Sequence, residues 1–341
     1  IQTRTGRVGQ LTLNRPASLN ALTDGMVSAL FAALADWADD PAVQMVVLDG
    51  AGDRAFCAGG DLVGLYRAMT SGDPVPPRRF WRAEYALNLL IGTYPKPVVS
   101  FLHGYTLGGG VGIGCHASHR IVGESSRIGL PECAVGLVPD VGSTCLLAKA
   151  PGRLGEYLGV TGDRMDAGDA VHAGFADSFV PEADWPALKA CLLETGRVDA
   201  IARAATPPPE SRLAAWQPQI DHLCAGAGLG DIGRAMTAEP TEAGAHAARL
   251  MDRNCPLAMA ATVDLVRRVR LRPTLEHALE QEYRYTHRAA VQGDFAEGIR
   301  AAVIDKDKRP RWIHEDWRTM PDDAAAEMLL PLGPDALRFG P

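Results

Sequence analysis

The stretch that most limits how this chain can fold is KPVVSFLHGYTLGGGVGIGCHAS, residues 96–118. An apolar run leads into three consecutive glycines, Gly108 to Gly110, and then into a segment of helical character. Glycine loses more conformational freedom on folding than any other residue, so three in a row need a reason. The pattern predicts a strand, a turn with bared backbone, and a helix opening at that turn.

Similar alternation runs through the first two hundred residues. RVGQLTLNRP reads as a strand stopped at Pro16, and VQMVVLDG as a buried strand ending at Gly50. Between them, Val27, Leu30, Phe31, Leu34 and Trp37 fall at helical spacing, with Thr23 as the N-cap. DRAFCAGGDL is a glycine-bearing loop leading to a helix near Leu62, and residues 70–78 read as a mobile loop. FWRAEYALNLLIGTY is helical, KPVVSFLHG is a strand, and a helix after the glycines is expected to reach about Arg120. RIVG and RIGLPE are short strands. Short strands broken often by glycine predict an α/β fold with turns stacked in a spiral rather than an open sheet. From about residue 201 the pattern is helical, and Leu275, Leu279, Glu282, Tyr283 and Thr286 share one helix face. The expected organisation is a core over 1–200 and a mainly helical region over 201–341.

The bulk numbers exclude several classes. The 341 residues carry a net charge of −7, which argues against nucleic acid as a partner. No apolar run approaches the roughly 20 residues that span a bilayer, so no membrane partner is expected. Seven cysteines without a C-x-x-C pair argue against a disulfide framework or zinc site and for the reducing cytoplasm. His116 and His119 lack an evident third ligand and read as ordinary helix histidines, so no metal is expected.

Three readings compete for the glycines. The first is a dinucleotide loop: GIGCHA fits the loose form G-x-G-x-x-A, with Glu132 about twenty residues beyond Gly112. That acid, however, lies past two short strands and a proline, and the motif's glycines fall inside the helix. The second is an oxyanion site, in which amides at a helix N-terminus face a developing negative oxygen. Such a site needs a second donor, and FCAGGDL is the natural source. The third is purely architectural: tight turns where two backbones cross.

LNRPASLNAL, AFCAGGDL, KPVVSFLHGYTLGGGVGI and LPECAVGLVPDVG, in that order and spacing, resemble the crotonase (enoyl-CoA hydratase/isomerase) superfamily over residues 1–185. The resemblance implies a ββα spiral core that binds acyl-CoA thioesters, with coenzyme A as part of the substrate and no separate cofactor. It implies an oxyanion hole from the amides of Gly60 and Gly109. It also implies that LNRPASLNAL lies along CoA, with Asp61 and Leu62 approaching the adenine. Arg15 is a candidate phosphate partner, because guanidinium binds phosphate in bidentate fashion. A homo-oligomer, trimer or hexamer, is implied as well, although a helical C-terminal region could cover such a surface.

Hydratases of this family use two glutamates, and the first falls here at Gly112. Losing one carboxyl disfavours adding water across a double bond. RAEYALN, GGGVG, PECAVGLVPDVG and DFAEGIRAAVIDKDKRPRW instead resemble the family's 3-hydroxyisobutyryl-CoA hydrolase subgroup, thioesterases of valine breakdown. That pattern falls on Glu84, Gly109, Glu132 and Asp140. Glu132 would be the nucleophile or the general base, Asp140 would bind the substrate hydroxyl or position water, and Glu84 would contact the acyl end. PDVGST departs from a more glycine-rich form of that loop. The expectation is hydrolysis of a short, branched 3-hydroxyacyl-CoA thioester. Its rivals are a hydratase or isomerase with Glu132 as sole acid/base, and a non-catalytic acyl-CoA-binding protein.

Overall fold

The structure, a computed structural model, describes residues 1–238, 241–321, 323 and 325–339. Its contacts divide the chain into two units, each assembled from three segments. The first unit comprises Ile1–Gly60, Ala86–Gly129 and Arg164–Arg212, and the second comprises Asp61–Tyr85, Leu130–Asp163 and Leu213–Pro341.

The first unit carries nine strands: β1 (Gln2–Thr5), β2 (Val8–Leu13), β3 (Met45–Gly50), β4 (Ala55–Cys57), β5 (Val98–Phe101), β6 (Tyr105–Leu107), β7 (His119–Val122), β8 (Arg127–Gly129) and β9 (Ser178–Phe179). They form a six-stranded sheet in the order β1-β2-β3-β5-β7-β9 and a three-stranded sheet in the order β4-β6-β8. Only β1 is antiparallel to its neighbour. Each pass of the chain lays one strand in the larger sheet and the next in the smaller, so β3–β4, β5–β6 and β7–β8 are successive turns of a spiral. This is the expected α/β architecture. Val47, Val99, Phe101 and Ile121 pack beneath Trp185, Leu188 and Leu192 of the helix Trp185–Thr195. The Phe101 and Trp185 rings meet edge to face at 5.2 Å, and the indole N–H donates to the Val180 carbonyl.

Helix α1 (Asp24–Asp39) starts at Thr23, whose hydroxyl accepts from the Met26 amide. Its buried face is Val27, Leu30, Ala33, Leu34 and Trp37. Phe31, expected on that face, is 40% exposed. The helix α2 (Leu62–Thr70) follows β4 and its loop. The loop expected over residues 70–78 is shorter, residues 71–74, because α2 runs to Thr70 and α3 (Val75–Gly92) already begins at Val75. Pro76 and Pro77 sit in its first turn, where a missing amide proton costs no intrahelical bond. The helix after the glycines, α4 (Gly109–Gly114), ends well short of Arg120. Its glycine-rich sequence propagates poorly, and the chain turns into β7 at His119. His116 and His119 are therefore not helix neighbours.

The second unit is helical. Helix Pro256–Leu271 is buried along most of its length, as suits a central helix. Helix Leu275–Ala289 starts at Thr274, which caps the His277 amide. Among the described residues, no helix is long and apolar enough to cross a membrane.

Candidate active site

Two constructions follow from this fold, one in each unit. In the first unit, β4 and β6 run parallel side by side, and a glycine turn follows each. Gly59 has φ +102°, and a Cβ built on it would lie 3.8 Å from the Gly109 amide nitrogen and 3.4 Å from the Leu107 carbonyl oxygen. The two turns therefore abut. Gly108 has φ +52°, a left-handed backbone. At Gly110 a Cβ would come within 2.2 Å of the Cys57 carbonyl oxygen. Two of the three consecutive glycines are thus required by backbone shape and close approach, as the crossing-backbone reading holds.

Gly109 is placed differently. It opens α4, so its amide is among those that a helix leaves without an intrahelical acceptor. Gly60 bridges to Leu22, but the ladder bond runs from the Leu22 amide to the Gly59 carbonyl at 2.8 Å and does not use the Gly60 amide. The turns that supply these two amides are held together by the glycines beside them. Arg15 lines a cleft of about 180 Å³ with Leu11, Thr12, Leu13, Asn14 and Met26. Its guanidinium donates to the Ala21 carbonyl at 2.6 Å. The dinucleotide reading fits poorly: Gly112 and Gly114 lie within α4, and Glu132 lies on a 3-10 turn beyond β8 rather than at a strand end.

The second construction lies in the second unit. Glu84 from α3, Glu132 from the turn Pro131–Val135 and Asp140 from the following loop gather with Glu282 of helix Leu275–Ala289. All four are buried, none more than 6% exposed. Tyr85 Oη donates to Asp140 Oδ2 at 2.7 Å and lies 3.4 Å from Thr286 Oγ1. Glu84 Oε1 and Glu132 Oε2 are buried with no protein hydrogen-bond partner. Native interiors leave few such atoms unsatisfied, and those that remain ask for a functional explanation.

Burial and mutual repulsion raise the proton affinity of these acids. Burial pushes the Asp140 carboxyl up to about 7, against the opposing hydrogen bond from Tyr85. Burial raises Glu84 well above its ordinary value, and the nearby Asp140 adds to this. Burial raises Glu132 similarly, reinforced by Asp140, Glu282 and Glu84. Buried carboxyls crowded together cannot all ionise at neutral pH. The cluster therefore offers both a carboxylate and a protonated acid, the pair that acid–base chemistry needs.

The sequence candidates are thus sorted by unit: Gly60, Gly109 and Arg15 in the first, Glu84, Glu132 and Asp140 in the second. Asp61 is the N-cap residue of α2, and Leu62 its first residue, both half-buried. Sequence reasoning missed Tyr85, Thr286 and Glu282 as site residues. A signal for Glu282 existed: a carboxylate at a buried-face position of an otherwise apolar helical pattern.

A spiral of parallel strand pairs with two abutting glycine turns is the crotonase fold. The family model for enoyl-CoA hydratase/isomerase matches residues 8–329. The chain belongs to that family. Among curated relatives, the mitochondrial 3-hydroxyisobutyryl-CoA hydrolase of Xenopus tropicalis is 33% identical, over 99% of this chain and 90% of its own. Among solved structures, an enoyl-CoA hydratase from Rhodobacter sphaeroides 2.4.1 superposes with a TM-score of 0.95 at 51% identity, covering 99% of both chains. A carnitinyl-CoA dehydratase from Mycobacterium thermoresistibile superposes with a TM-score of 0.94 at 38% identity, over 99% of this chain and 98% of its own.

Proposed function

We propose that this crotonase-family enzyme hydrolyses a short, branched 3-hydroxyacyl-CoA thioester, 3-hydroxyisobutyryl-CoA being the leading substrate. The observation that carries the reading is the Glu132 carboxyl, buried among three other acids with one oxygen unpartnered by protein. In this mechanism the amides of Gly60 and Gly109 hold the thioester oxygen as it becomes negative. Glu132 either attacks the carbonyl carbon, giving a mixed anhydride that water cleaves, or takes a proton from the attacking water. The C–S bond breaks, and the departing CoA thiolate takes up a proton. Asp140 accepts from the substrate hydroxyl, and Glu84 meets the acyl end. Arg15, Asp61 and Leu62 serve the CoA arm. The name of the Xenopus tropicalis relative, a 3-hydroxyisobutyryl-CoA hydrolase, supports the reading.

A second reading is a hydratase, favoured by the Rhodobacter sphaeroides relative at 51% identity. Against it stands Gly112, which lies buried in α4 and brings no carboxyl to that position. The two separate in one assay on a panel of acyl-CoAs that includes 3-hydroxyisobutyryl-CoA and crotonyl-CoA. Hydrolysis releases free thiol from the first. Hydration removes the enone absorbance of the second without releasing thiol, and that result would replace the thioesterase reading.

A further inference from the structure

Glu282 lies 142 positions after Asp140 in the chain, yet its carboxyl is built into the turn that carries Asp140. Its Oε2 accepts from the Gly142 amide at 2.7 Å, and its Oε1 accepts from the Thr144 amide at 2.9 Å and from the Thr144 hydroxyl. The clamped segment joins Asp140 to helix α5 (Ser143–Lys149). Its backbone is costly: Val141, a β-branched residue, has φ +56°, and Gly142 has φ +79°. A non-glycine residue in this region is strained and persists only where its surroundings enforce it. The Glu282 carboxyl, itself fully buried, anchors the residues that follow Val141. The same turn sets where Asp140 meets Tyr85 Oη.

We propose that Glu282 is a positioning residue: by clamping residues 142–144 it fixes the Asp140 carboxyl for the substrate's 3-hydroxyl. The inference rests on the reading of Asp140 given above. Both oxygens of Glu282 accept backbone N–H groups. A glutamine there would set its own NH2 against one of those donors. Glu282→Gln therefore releases one anchor while keeping side-chain size.

The test compares kcat/KM for 3-hydroxyisobutyryl-CoA and isobutyryl-CoA in the full chain. Asp140→Asn is expected to lower the preference for the hydroxylated substrate, and Glu282→Gln to lower the same ratio by about 10-fold, since small displacements at a site cost up to 10²-fold. If both substrates lose rate in equal proportion in Glu282→Gln, the residue is merely structural and the proposal is overturned. If that variant does not fold, Thr144→Val removes only the hydroxyl anchor. It should lower the ratio a few-fold, and an unchanged ratio there counts against the proposal. If Asp140→Asn itself leaves the ratio unchanged, the reading of Asp140 fails, and this inference fails with it.

Discussion

Tyr85 and Asp140 are joined by a 2.7 Å hydrogen bond from phenol to carboxyl, with both side chains buried. The bond is the only one drawn to Asp140 Oδ2 by a side chain among the described residues, and it opposes the burial that raises this carboxyl to about 7. Tyr85→Phe is expected to raise the Asp140 pKa further. Hydrogen bonds to charged groups are worth about 1.5–3 kcal/mol. The expected loss is thus roughly 10- to 100-fold in kcat/KM for a 3-hydroxyacyl-CoA. A pH–rate series on the variant should show its rise displaced to higher pH. An unchanged profile would deny the bond any part in turnover.

The acid cluster also fixes a sign for stability against pH. Asp140 titrates near 7 and Glu282 near 8 in the fold, both from ordinary values close to 4. Between those limits the native state binds more protons than the unfolded chain, so stability falls as pH rises through the window. Urea unfolding should give a lower free energy at about pH 8 than at about pH 5. Asp140→Asn should flatten this slope by on the order of 1 kcal/mol per pH unit. A slope equal to that of the parent would show that Asp140 is not shifted.

Gly110 tests the architecture of the first unit. A methyl group there would stand 2.2 Å from the Cys57 carbonyl oxygen, far inside contact. Gly110→Ala must force the β4 and β6 turns apart, which typically costs about 1–3 kcal/mol. A lowered melting temperature, with a larger loss of thiol release, is the expected outcome. Wild-type melting and turnover would mean that the close approach of the turns has no consequence.

How far the sequence revealed this can be argued residue by residue. The strands and α1 were legible because β3 and β5 are mostly apolar and α1 keeps a helical period. Glu84, Glu132 and Asp140 could be singled out because each sits in a motif. Glu282 could not be assigned a role, since its partners, the amides of Gly142 and Thr144, lie far away in the chain. The start of α3 was hidden because its first turn is written in prolines, which resemble a loop until a helix follows them. The length of α4 was overestimated because apolar content outlasts the helix, which ends at Gly114. The two units interleave three segments each, and of their boundaries only the last, after Arg212, lies near the change to a helical pattern that the sequence shows.

The account turns on Glu132, so the most direct measurement is free-thiol release from 3-hydroxyisobutyryl-CoA by Glu132→Gln. Its circular dichroism and melting should match the parent, because the substitution keeps the shape of a side chain that leaves one oxygen unpartnered. The account predicts a folded protein whose turnover falls by at least about 10³-fold, as when an essential nucleophile or base is removed. A folded Glu132→Gln variant that releases thiol at the parental rate would contradict it.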